Sequence, residues 1–186
     1  MEDGLLTNHF LIAMPGLVDP NFARTVTLIC EHSTEGAMGV VINRMTDLKL
    51  RDIFGQLNID TAGAAHGEAP VYLGGPVQGN RGFVLHEPLG TWDATLAVTE
   101  TLGVSTSRDI LEALAQNRGP ARYLVALGYA GWGAGQLERE IAENSWLSCP
   151  ADHRILFDTP VESRWRAAAE LMGVDMNTLS GEAGHA

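Results

Sequence analysis

Lysine is almost absent from this chain: Lys49 is the only one in 186 residues. Chemistry that needs a lysine therefore has one candidate, and it lies in DLKLRDIF, which has none of the glycines of a phosphate-binding P-loop. Basic residues as a whole are scarce, 12 against 23 acidic, for a net charge of −11. A nucleic-acid backbone would meet general repulsion, so direct nucleic-acid binding is not expected. Net charge does not fix where charges lie, and a local arginine patch stays open. Cysteine is limited to Cys30 and Cys149, far apart in sequence. With no export signal they read as free thiols in a reducing cytoplasm. No apolar run approaches the roughly 18 residues of a membrane span. The start, MEDGLLTNHFLIAMPG, has acid where a signal peptide would have basic residues, so no membrane role is expected.

The common catalytic and metal signatures are missing too. There is no CxxC pair, HExxH helix, GxSxG elbow or EF-hand loop. His9, His32, His66, His86, His153 and His185 have no local ligand spacing, so any metal site would need assembly by the fold. No metal and no cofactor are expected.

What is present reads as a single domain of mixed α/β class, with 45% hydrophobic and 19% charged residues. HFLIAM reads as a buried strand stopped by PGLVDP. TVTLICEH and AMGVVIN, joined by STEG, read as a hairpin-like pair. Strand alternation in the first puts Val26, Leu28, Cys30 and His32 on one face and Thr27, Ile29 and Glu31 on the other. LKLRDIFGQL is a short helix, and DTAGAAHGEA, residues 60–69, a candidate surface loop. PVYLGGP and RGFVLHE are strands separated by a turn, and ATLAVT is a further one. In TSRD, Thr106 and Asp109 form a capping-box pattern ahead of Ile110, Leu111 and Leu114, predicting a helix closed by Gly119 and Pro120. ARYLVALG is a strand that runs into the glycines of GYAGWGAG and then the amphipathic QLEREIAEN. RILFD reads as a last strand. Thr159, Pro160 and Glu162 open a final helix with the stripe Val161, Trp165, Ala168, Ala169 and Met172.

Three long strings in this order, NHFLIAMPGLVDPNFARTVTLICEHSTEGAMGVVINR, YLGGPVQGNRGFVLH and LVALGYAGWGAGQLEREIAENSWL, followed by the closing AGHA, resemble the bacterial YqgE/AlgH family across nearly the whole chain. Met45 departs from the pattern, standing after Arg44 where the family usually has proline. The resemblance implies a branched mixed β-sheet with a small barrel-like part, surrounded by helices. The family often carries a transcriptional-regulator label, which names a pathway and no chemical mechanism, and no catalytic residues carry over with it.

Candidate sites therefore come from the residues themselves. Cys30 with His32 is the sharpest pair, because an imidazole beside a thiol favours thiolate; the alternative is a small core hydrophobe and a polar strand end. Gly128, Gly131, Gly133 and Gly135 at a strand-to-helix junction could bring backbone N–H groups to an anion, or simply allow a tight turn that packs Trp132. The GxxGxGxG spacing and the acidic helix behind it favour the second. Asn43 and Arg44 at one strand end, and Arg81 and His86 around GFVL, could define an anion pocket if the fold joins them, or be capping and ion-paired residues. Asn144 and Trp146 in ENSWLSCP could meet a partner, though Trp146 reads more simply as core. The leading expectation is a non-enzymatic regulatory or binding protein acting through a protein partner or a small anionic ligand. An enzyme or thiol switch built on Cys30 and His32, and a DNA-binding regulator, are the alternatives.

Overall fold

The computed structural model describes residues 5–61 and 66–178. Ten strands form one sheet: β1 (His9–Ala13), β2 (Val26–Ser33), β3 (Gly36–Val41), β4 (Met45–Lys49), β5 (Pro70–Leu73), β6 (Val77–Glu87), β7 (Thr95–Ala97), β8 (Gly103–Ser105), β9 (Arg122–Gly133) and β10 (Trp146–Pro150). The helices are α1 (Leu50–Gln56), α2 (Arg108–Ala115), α3 (Gln136–Ala142), α4 (His153–Phe157) and α5 (Arg164–Glu170), with a 3₁₀ turn over Val161–Ser163 before the last. None of the described helices is long and apolar enough to cross a membrane.

The strands run in the order β10-β1-β2-β3-β9-β6-β8-β7, and β9 is the branch point. Along one edge, residues 125–127 of β9 pair in parallel with β5, and residues 130–133 pair antiparallel with β3. Its other edge carries β6. Where β5 ends, β3 takes its place, and β4 extends β5 outward. The changeover depends on close backbone approach. A Cβ on Gly75 would lie 2.1 Å from the Tyr129 carbonyl carbon, and one on Gly128, at φ +78°, would lie 2.5 Å from the Gly75 oxygen. Only glycine satisfies both positions.

The sheet is a half-barrel, and each face owns its apolar residues. The concave face gathers Phe10, Ile12, Val26, Leu28, Cys30, Phe83, Leu85 and Leu124, and α4 and α5 cover it with Ile155, Leu156, Trp165, Ala168 and Ala169. On the outer face, α1 and α2 pack Phe54, Ile110 and Leu114 onto Val71, Val84 and Val125. α3 with Leu17 and Phe22 covers Ile29, Ala130, Trp132 and Trp146. At about 1.5–3 kcal/mol for each large apolar side chain removed from water, these three layers supply the drive for folding.

Several elements differ from their sequence-based expectation. RILFD is helical: Asp152 accepts the Arg154 backbone N–H at 2.9 Å and caps α4, whose Ile155 and Leu156 dock into the concave core. The cap residue of α2 is Ser107, one position after Thr106, and its hydroxyl donates to Asp109 at 2.6 Å. The final helix begins at Arg164, after the 3₁₀ turn, and Met172 of its expected stripe is exposed. Strands β5 and β6 do not pair with each other but lie on opposite edges of β9. Part of the 60–69 loop, residues 62–65, and the closing AGHA lie outside the described residues.

Candidate functional site

Strand β2 decides the fate of the cysteine–histidine pair. Its register against β3 slips between Ile29 and Glu31, so Cys30 occupies a β-bulge. A bulge adds one residue and flips the facing of everything after it. Cys30 therefore points into the concave core, 1% exposed, and Glu31 follows it onto the same side. His32 goes to the outer face. There its Nδ1 accepts the Leu6 N–H at 2.9 Å, which leaves Nε2–H to donate to Glu138 at 3.0 Å. The expected shared face is thus broken. Burial, and secondarily the Glu31 carboxylate, pushes the Cys30 thiol up to about 12, opposite to an activated thiol. Cys149 lies in β10 and is also buried.

The other candidates also separate. Asn43 accepts the Val26 N–H through Oδ1 and donates to the Arg24 carbonyl, both at 2.9 Å. Arg44 donates to the carbonyls of Pro20 and Ala23. Together they clamp the 19–25 loop, and they do not meet Arg81 or His86 in a pocket. His86 is fully buried: Nδ1–H donates to the Pro88 carbonyl at 3.0 Å, so Nε2 accepts the Ser105 hydroxyl at 2.7 Å. Burial lowers its pKa and keeps it neutral. Trp146 is core, and its indole N–H shares the Glu140 Oε1 with that of Trp132, each at 3.0 Å. Of the glycines, Gly128 and Gly135 take left-handed conformations, whereas Gly131 is ordinary extended strand with room for a methyl group. The strand-to-helix junction is shorter than GYAGWGAG suggests, because β9 continues through Gly133.

What the fold does bring together is Arg81, Gly131 and Trp132. They line an open cleft of about 830 Å³ on the concave side, beyond the part that α4 and α5 fill. Met38, Phe83, Leu96, Val104 and Tyr129 give it an apolar floor continuous with the core. Phe83 and Tyr129 meet edge to face, with ring centres 5.5 Å apart. Glu31, Gln78, Thr95 and Thr106 supply its other polar side chains. Arg81 comes from an irregular stretch between Val77 and Gly82, where β6 leaves its register with β9 and Gln78 turns to φ +50°. Its guanidinium lies 5.6 Å above the Phe83 ring and donates to Gln78 at 3.3 Å and Thr106 at 3.4 Å. No carboxylate lies within ion-pair distance of it among the described residues.

Reasoning from sequence missed Glu31, Met38, Phe83 and Tyr129 as cleft residues, because they meet only after β2, β3, β9 and β6 curl together. It also missed Arg164, 5% exposed, whose guanidinium faces the Tyr72 ring at 5.2 Å and donates to the carbonyls of Ile42 and Thr159. No group of three or more metal-ligating side chains occurs among the described residues.

The whole chain has close relatives. A UPF0301 protein of Methylococcus capsulatus is 57% identical over 184 residues, covering 99% of this chain and 98% of the relative. One from Thioalkalivibrio sulfidiphilus is 59% identical over 180 residues, covering 97% and 96%. Among solved structures, the AlgH protein from Pseudomonas aeruginosa superposes with a TM-score of 0.81 at 49% identity, covering 100% of this chain and 98% of that one. A Corynebacterium diphtheriae protein, at 22% identity and a TM-score of 0.72, covers 94% and 91% and shares the fold. The AlgH-like family model, DUF179, matches residues 10–177. This chain belongs to the AlgH-like family.

Proposed function

We propose that this protein is a non-enzymatic binding protein whose concave cleft receives an amphipathic small molecule with an anionic group. The supporting observation is Arg81, a cation without a carboxylate partner among the described residues, held over an aromatic ring at the rim of an apolar cleft. The cleft volume falls within the roughly 300–1,000 Å³ of small-molecule sites. Arginine suits the role because its planar donors match carboxylate, sulfonate or phosphate oxygens. A cytoplasmic location belongs to the same proposal: both cysteines are free thiols, kept on separate strands with β1 between them.

A thiol-based reading loses support from the bulge at Cys30. A DNA-binding reading is weakened by pairing of other arginines with acids, as in Arg108–Glu112 and Arg122–Asp158. The test uses two dyes of matched shape, 1-anilinonaphthalene-8-sulfonate and its uncharged counterpart N-phenyl-1-naphthylamine. The sulfonate should bind one-to-one, and Arg81→Gln should weaken it about tenfold, the loss of one charge-assisted hydrogen bond, while barely changing the neutral dye. Sulfonate binding unaffected by Arg81→Gln would sink the proposal.

A further inference from the structure

Resting on that binding role, we infer that the cleft takes a dipolar ligand, with its anionic end at Arg81 and a cationic end at Glu31. Glu31 lines the same cleft, and its carboxylate has no hydrogen-bond or ion-pair partner among the described residues. It is there because of the bulge: without the extra residue at Cys30, strand alternation would have turned it to the outer face. Glu31 and Arg81 do not neutralise each other. They belong to β2 and β6, with β3 and β9 between them, so three strand spacings of about 4.8 Å each lie between them across the sheet.

The Glu31 end is acidic beyond one residue. A second depression of about 300 Å³ adjoins the cleft, shares Glu31, Met38 and Trp132 with it, and adds Glu35 and Ser33. One end is thus cationic, the other acidic, and the floor between them is Met38, Tyr129 and Phe83. A simple anion would have to approach a molecule of net charge −11 and then leave Glu31 unpaired. A zwitterion meets no net repulsion and satisfies both ends. The chemical class is an amino-acid-derived or short peptidic molecule, with carboxylate and ammonium separated by an apolar body.

Three probes of equal chain length test this by calorimetry on the full chain: 11-aminoundecanoate, undecanoate and undecylammonium. The zwitterion should bind about five- to tenfold more tightly than undecanoate. Glu31→Gln should abolish that preference while leaving undecanoate within twofold, Glu31→Lys should invert it, and Arg81→Gln should weaken both carboxylates. Undecanoate binding as tightly as the zwitterion, or Glu31→Gln weakening both alike, overturns the dipolar inference and leaves the anion-binding reading standing. Absence of binding by either carboxylate, or indifference of both to Arg81→Gln, overturns the two together.

Discussion

At the residue scale, two buried titratable groups give this protein a stability profile with opposite slopes. His86 is neutral in the fold, its pKa lowered by burial from an ordinary 6.5. As pH falls past 6.5 the unfolded chain takes up a proton that the folded chain refuses, so the contribution of His86 is present at higher pH and lost on acidification toward the folded value. Cys30 works from the other side. Its thiol is raised from 9.0 to about 12, so the unfolded chain loses its proton first and the contribution, intact below 9, is lost between 9 and 12. Urea unfolding across pH should show both flanks. His86→Gln should flatten the slope near pH 6, and Cys30→Ala the slope above pH 9, the latter with a loss of about 1 kcal/mol at neutral pH from packing. Unchanged slopes in both variants would contradict the burial of these groups.

At the scale of elements, β9 is the strand on which β3, β5 and β6 all depend. A left-handed Gly128 pressed against Gly75 and an extended, roomy Gly131 belong to the same glycine cluster but have different tolerances. Gly128→Ala should unfold the protein or cost several kcal/mol, whereas Gly131→Ala should stay within about 1 kcal/mol. Thermal melts of the pair, showing equal losses, would refute the assignment. The same strand shows where the sequence was legible. The β2–β3 hairpin as far as Cys30, α2 and the Trp165–Ala168–Ala169 stripe are readable because their apolar periods match their local geometry. The glycines of GYAGWGAG read as the end of β9, yet a strand tolerates them where neighbours approach closely, and β9 continues through Gly133. RILFD reads as a strand because its three apolar residues, Ile155, Leu156 and Phe157, are too few to carry a period of their own, and the capping by Asp152 decides for helix. The bulge at Cys30 has no signature in TVTLICEH, yet it separates Cys30 from His32 and turns Glu31 into the cleft. Arg81, Gly131 and Trp132 are candidates in the sequence and line one cleft in the fold; what joins them is tertiary.

At the scale of the whole molecule, the net charge of −11 and the carboxylate-paired arginines predict no affinity for duplex DNA beyond the non-specific range, about 10⁻⁴ to 10⁻⁶ M at physiological salt. A gel-shift titration with sequence-selective nanomolar retention at about 0.15 M salt would show otherwise. The order of the sheet bears on how the chain is made. β3, β5 and β6 all take β9 as a hydrogen-bonded neighbour, and β9 follows all three in sequence. At roughly 5–20 residues per second of synthesis, β3 waits several seconds with one edge unpaired. Unpaired edges recruit other strands, including those of a neighbouring nascent chain. The hub that makes the finished half-barrel cohesive therefore leaves the growing chain with an open sheet edge until residue 133 has emerged.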